Sequence, residues 1–89
     1  MNTGKQSAAH MGTNIKTVRE ILGISRELLA FEFHVSIAAI EKMEKRKIVS
    51  KQVIAKLSEI FQVEHDQIEA FEESRFLVYI GRRWHKDKR

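Results

Sequence analysis

The chain contains no cysteine, no proline and no long apolar segment. Without cysteine there is no disulfide, no thiolate metal ligand and no thiol nucleophile. No apolar run approaches the roughly 18 residues that a membrane-spanning helix needs, and the polar N-terminus predicts no signal peptide. Because proline and strand-like Val/Ile/Thr alternation are both missing from the first 70 residues, helices are favoured. We therefore expect an all-α protein that resides in the cytoplasm.

Residues that typically form catalytic or metal sites are also scarce. The four histidines, His10, His34, His65 and His85, are scattered and show no i, i+4 spacing of the kind that metal sites use. The four glycines are isolated, so the chain has no glycine-rich phosphate loop. The sequence predicts that the protein is not an enzyme and uses no metal and no cofactor.

The charge balance is basic. Sixteen lysines and arginines stand against 12 acidic residues, which gives a net charge of +4 and an isoelectric point near 9.6. This balance favours an anionic partner without identifying it. With 89 residues, of which 43% are apolar, the chain is long enough for one small domain with a modest core.

The segment 25–44, SRELLAFEFHVSIAAIEKME, is the most informative part of the sequence. Ser25 and Ser36 can each cap the start of a helix with a hydroxyl. Apolar residues recur on one face of each expected helix, and Ala30 is small where the two helices must cross. This pattern is typical of a helix-turn-helix, whose second helix enters the major groove of DNA.

The rest of the chain divides around this motif. We expect a flexible segment over 1–11, a helical domain over 12–71 and a C-terminal extension over 72–89. Gly23 is expected to end the first helix, and Ser50 is expected to cap the start of the fourth. The five expected helices span about 13–22, 26–33, 37–45, 51–61 and 65–71.

The C-terminal extension is apolar at first and basic at its end. The segment 75–80 is rich in β-formers and forms either a helix or a strand. It either covers the core or serves as a dimerisation element, and Gly81 is expected to break it. The basic residues 82–89 are either solvated or contact phosphates.

Residues 12–71 resemble the DNA-binding domain of the XRE family, the phage-repressor-like and Cro-like regulators. The matching residues are Ile15, Val18, Arg19, Gly23, Ile24, Ser25, Leu29, Ala30, Val35, Ser36, Ile40, Glu44, Ile54, Leu57, Phe61, Val63 and Ile68. The resemblance implies a five-helix, lambda-repressor-like fold. It also implies a sequence-specific transcriptional regulator that binds a two-fold operator in double-stranded DNA as a homodimer.

The resemblance further implies a set of DNA-binding residues on the second and third helices and in the loop that follows. Ile37 and Ala38 can contact only apolar groups such as the thymine methyl, whereas Lys42 can donate to guanine or to phosphate. Lysines and arginines of such a set can also form an ordinary solvated surface. The implied residues are Arg26, Ser36, Ile37, Ala38, Lys42, Lys45, Arg46 and Lys47.

Two other features follow from the same comparison. Arg19 and Glu44 occupy positions that form a structural ion pair in the family. Leu28 and Phe31 fall on the outer side of the second helix, where the family is usually polar. With Ile37 they either form an exposed apolar patch or pack under the loop or the tail. An exposed patch would favour the alternative function, a protein-interaction module or an antitoxin-like subunit with a protein partner.

Overall fold

The computed structural model describes residues 10–88, and it describes side chains as far as Arg83. This part of the chain contains six helices and no strand. They are α1 (Met11–Ile21), α2 (Arg26–Phe33), α3 (Ile37–Met43), α4 (Lys51–Phe61), α5 (His65–Glu69) and α6 (Glu73–Lys88). The all-α prediction is confirmed, with the C-terminal extension as a sixth helix. The segment expected to be flexible lies outside the described residues up to position 9, and α1 begins at Met11.

Serine hydroxyls fix the starts of three helices. The Oγ atoms of Ser25, Ser36 and Ser50 accept hydrogen bonds from the amide three residues on, at 3.1, 3.1 and 3.3 Å. Each bond satisfies one amide that has no partner inside its own helix. Because these signals are local, α2 and α4 begin where the sequence predicts.

Three helices end in the same way, with a residue in the left-handed conformation. Gly23 follows α1 with φ +72°, His34 follows α2 with φ +58°, and Gln62 follows α4 with φ +61°. After α2, the amide of Val35 donates to the carbonyl of Ala30 at 3.0 Å. This bond turns the chain sharply, so α3 folds back against α2 and completes the helix-turn-helix.

The core lies where α1–α6 meet. Its largest fully buried side chains are Phe76, Ile15, Leu29, Ile40, Ile54, Leu57, Ile68 and Val18. The buried Asn14 side chain donates to the carbonyl of Ile68 at 3.0 Å and so ties α1 to α5. None of the helices within residues 10–88 has the length and apolar character to cross a membrane.

The C-terminal extension packs on this core as a helix. Phe76 is fully buried, and its ring centroid lies 5.6 Å from that of Phe71 and 6.2 Å from that of Tyr79. The expectation that Gly81 breaks this element is wrong, because α6 runs through it. One glycine costs a helix only about 1 kcal/mol relative to alanine, and the packing of Phe76 holds α6 against the core.

Candidate nucleic-acid interface

The third helix presents one side to solvent. Ile40 is its only fully buried residue, whereas Ile37, Ala38 and Lys42 are exposed. At about 100° per residue these three fall within an arc of roughly 140° on the side away from Ile40. The hydroxyl of Ser36 is also at this end of α3, but it accepts a hydrogen bond from the amide of Ala39. Glu41 is exposed within the same arc, so this side offers two apolar side chains, one cation and one carboxylate to a ligand.

A basic loop follows α3, and its side chains all reach solvent. Lys45, Arg46 and Lys47 are exposed, while the carbonyls of the last two accept hydrogen bonds from the first amides of α1. Gly12 donates to Arg46 at 2.8 Å and Met11 donates to Lys47 at 2.9 Å. The loop backbone is thus fixed to α1, and three cations project next to the exposed side of α3.

Gly12 makes this attachment sterically possible. A Cβ atom at position 12 would lie 2.5 Å from the carbonyl oxygen of Glu44 and 2.6 Å from that of Arg46. Any other residue there would push the loop away from α1. No local sequence pattern indicates this role, because the contact joins segments more than 30 residues apart.

Glu44, at the end of α3, binds two arginines. Arg19 of α1 donates from Nε to one carboxylate oxygen at 2.7 Å and from Nη2 to the other at 3.4 Å. Arg26 of α2 donates from Nε at 3.1 Å. The side chains of Glu44 and Arg19 are only 3% and 8% exposed. Arg19 also donates to the carbonyl of Ile24 at 2.9 Å, so this network fixes α3 relative to both preceding helices.

Arg26 therefore has a partner that the sequence did not indicate. The resemblance implied a contact between Arg26 and DNA, whereas in the structure its Nε donates to Glu44. Its side chain remains 34% exposed, which leaves its other donors within reach of solvent. The interaction depends on how α2 and α3 cross, and sequence spacing does not determine that crossing.

A depression of about 510 Å³ separates the start of α1 from the end of α3. Two acidic residues, Glu41 and Glu44, line it together with three cations, Lys16, Arg26 and Lys45. His10 closes one side, where its Nδ1 accepts a hydrogen bond from the amide of Thr13 at 3.1 Å. Lys16 was not among the predicted residues, yet the fold places it with two that were.

The apolar residues on the outer side of the motif are exposed. Phe31 is 74% exposed, Leu28 42% and Ile37 41%. Such residues are unusual on a small monomer when they cluster. Neither the loop nor the described part of the tail covers them.

Comparison with known families assigns the central part of the chain. Residues 15–68, more than half of the sequence, match the family model described as Helix-turn-helix (HTH_3). No curated protein and no solved structure gives a significant match. The matched region begins in α1 and ends in α5, and it includes the Glu44 network and the basic loop.

Proposed function

The chain belongs to the XRE family of helix-turn-helix DNA-binding regulators, and on this basis we propose that it regulates transcription by binding specific duplex sites. The observation that carries the proposal is the exposed side of α3 together with the three exposed cations of the basic loop. An exposed helix of this kind enters the major groove, and flanking cations hold the phosphate backbone.

The contacts divide by chemistry. Lys42 supplies the polar contact to a base, while Ile37 and Ala38 pack against thymine methyl groups. The basic loop, residues 45–47, binds phosphates. Arg26 positions α3 through Glu44 and offers its remaining donors to the backbone of the same strand.

We further propose that the protein binds a two-fold operator as a homodimer. Dimers of this class place two recognition helices about 34 Å apart, one turn of DNA. Leu77 and Val78 of α6 support it, because they are 48% and 54% exposed. Phe76, which the sequence grouped with them, packs inside its own chain and contributes to the fold instead.

Fluorescence anisotropy with a labelled duplex tests DNA binding. Affinity is expected to fall steeply with salt, because each phosphate contact releases counterions and adds about 0.9 to the slope of log affinity against log salt. Lys47→Ala should weaken binding to all duplexes alike and lower the slope by about 0.9. Lys56→Gln is the matched control, because it removes an exposed cation from the middle of α4 and should leave the slope unchanged.

The proposal fails if affinity does not respond to salt, or if no duplex binds at low salt. Selection from random duplexes then tests specificity. A recovered motif supports a sequence-specific regulator, whereas equal affinity for selected and scrambled duplexes contradicts it.

The exposed patch of Leu28, Phe31 and Ile37 favours a second candidate function, a protein-interaction module or antitoxin-like subunit. In that case selection returns no motif. Ile37→Asp then abolishes binding to a protein partner. Phe31→Glu separates the two functions, because it alters the patch on α2 without touching the α3 residues assigned to bases.

A further inference from the structure

A groove of about 630 Å³ lies between α5 and α6, and three arginines line it: Arg75, Arg82 and Arg83. Among the described side chains, no carboxylate lies within 4.0 Å of these guanidinium groups. Like charges on one concave surface repel each other, and a low-dielectric wall concentrates their field. The groove is therefore suited to an anion.

One of the three arginines is held in place by the fold. Arg83 donates to the carbonyl of Gln62, and its guanidinium carbon lies 5.9 Å from the centroid of the Tyr79 ring. Tyr79 is fixed in turn, since its hydroxyl accepts a hydrogen bond from the amide of Glu64 at 3.2 Å. A guanidinium has five N–H donors, so the bond to Gln62 leaves others for a ligand.

The remaining lining residues indicate the chemistry of that ligand. Ser74 and Gln67 add a hydroxyl and an amide, and Val78 and Tyr79 form an apolar wall. Arginines bind phosphate through paired hydrogen bonds, and the volume is typical of small-molecule sites. We propose that this groove binds a small phosphorylated molecule, with its phosphate on the arginines and its apolar part against Val78.

The groove is separate from the proposed DNA interface. Arg83 contacts Gln62, which follows the C-terminal end of α4, whereas the basic loop precedes the N-terminal end of the same helix. An 11-residue helix is about 16 Å long. The arginine groove and the basic loop thus lie at opposite ends of α4, and the proposal does not depend on DNA binding.

Calorimetric titration of the full chain with phenyl phosphate tests the proposal. Saturable one-site binding is expected, with weaker binding of inorganic phosphate, which lacks the ring, and none of phenol, which lacks the charge. Arg75→Gln and Arg82→Gln should each weaken phenyl phosphate binding at least tenfold, the effect of losing one charged hydrogen bond. Both side chains are exposed, so melting curves should be unchanged. Lys51→Gln, on the exposed start of α4, is the control and should bind normally.

Two outcomes would overturn this assignment. One is the absence of saturable phenyl phosphate binding at millimolar concentration, or binding that neither arginine variant weakens. The other is a loss of duplex affinity and salt slope in Arg75→Gln and Arg82→Gln equal to that in Lys47→Ala, which would make the DNA backbone the ligand. Lys47→Ala should itself bind phenyl phosphate normally, so a failure of DNA binding and a failure of this site are distinguishable.

Discussion

At the scale of single residues, Glu44 determines how the motif is assembled. Its carboxylate is almost fully buried and accepts three hydrogen bonds from two arginines. A buried charge is costly unless it is paired, so each arginine offsets part of that cost. The position of Glu44 at the end of α3 makes this charge pairing a constraint on the orientation of α3.

Arg19→Ala should destabilise the protein by at most about 3–5 kcal/mol, because it leaves the buried carboxylate of Glu44 without its main partner. Arg26→Ala should cost less, since Arg26 is partly exposed. Thermal melts of Arg19→Ala, Glu44→Ala and the double variant measure the coupling. Losses that simply add in the double variant would mean that the two residues do not interact.

Two glycines provide a matched pair of substitutions to alanine. Gly12→Ala should destabilise the fold by about 1–3 kcal/mol, because its Cβ would collide with the backbone carbonyls of Glu44 and Arg46. A Cβ at Gly81 would meet no described atom within 4 Å, so Gly81→Ala should stabilise α6 by about 0.5–1 kcal/mol. Chemical denaturation of both variants checks the signs, and equal effects would contradict the contact at Gly12.

Residue chemistry also explains which features the sequence could predict. Ser36 caps its own helix within three residues, so its signal is local and visible. The pairing of Arg26 with Glu44 and the close approach at Gly12 depend on the tertiary arrangement. The sequence did not predict that His10 caps α1, because histidine is not among the usual capping residues.

At the scale of elements, α3 and α6 differ in how they are held. The seven residues of α3 include one fully buried side chain, and caps and ion pairs hold both of its ends. Burial of Phe76 anchors α6 despite a sequence rich in β-formers. Residue propensities alone allowed either a helix or a strand in this segment. The contacts of Phe76 with the core stabilise the helix.

The sparse polar content of α3 predicts an unusual binding site. A selected duplex should be rich in thymine where Ile37 and Ala38 lie, with a guanine within reach of Lys42. Lys42→Ala should cost about 1–3 kcal/mol on that duplex and relax preference at one position. Titration with thymine and uracil versions of the site tests Ile37.

In that titration, Ile37→Ala should reduce discrimination between thymine and uracil, which lacks the methyl group. Unchanged discrimination would exclude a methyl contact by Ile37. Ile48→Ala serves as the control, since it removes the same side chain from an exposed position outside α3 and should leave base preference intact.

At the scale of the whole molecule, α6 is part of the core and not an appendage. An 89-residue chain has a small core, and Phe76 is one of its largest fully buried side chains. Deleting the segment after Ser74 would remove that side chain, so truncation cannot separate assembly from folding. The exposed residues of α6 allow a cleaner test.

Sedimentation of the full chain is expected to show a dimer, and Leu77→Asp or Val78→Asp should shift it to monomer without lowering helicity. For sedimentation, Ile48→Asp is the matched control, because Ile48 is 73% exposed but follows the basic loop and is not part of α6. A monomeric full-length chain at high micromolar concentration would exclude the α6 dimer. Operator binding should weaken along with the dimer, since each half-site then binds alone.

The two hydrogen bonds between α1 and the basic loop connect the helix start to any ligand of the loop. The amide protons of Met11 and Gly12 exchange with solvent only when those bonds open. A ligand that binds Arg46 and Lys47 immobilises the loop and so makes the opening of these hydrogen bonds rarer. Deuterium uptake at the amides of Met11 and Gly12 should therefore fall when DNA binds. The start of α1 therefore serves as a spectroscopic reporter of occupancy at the loop.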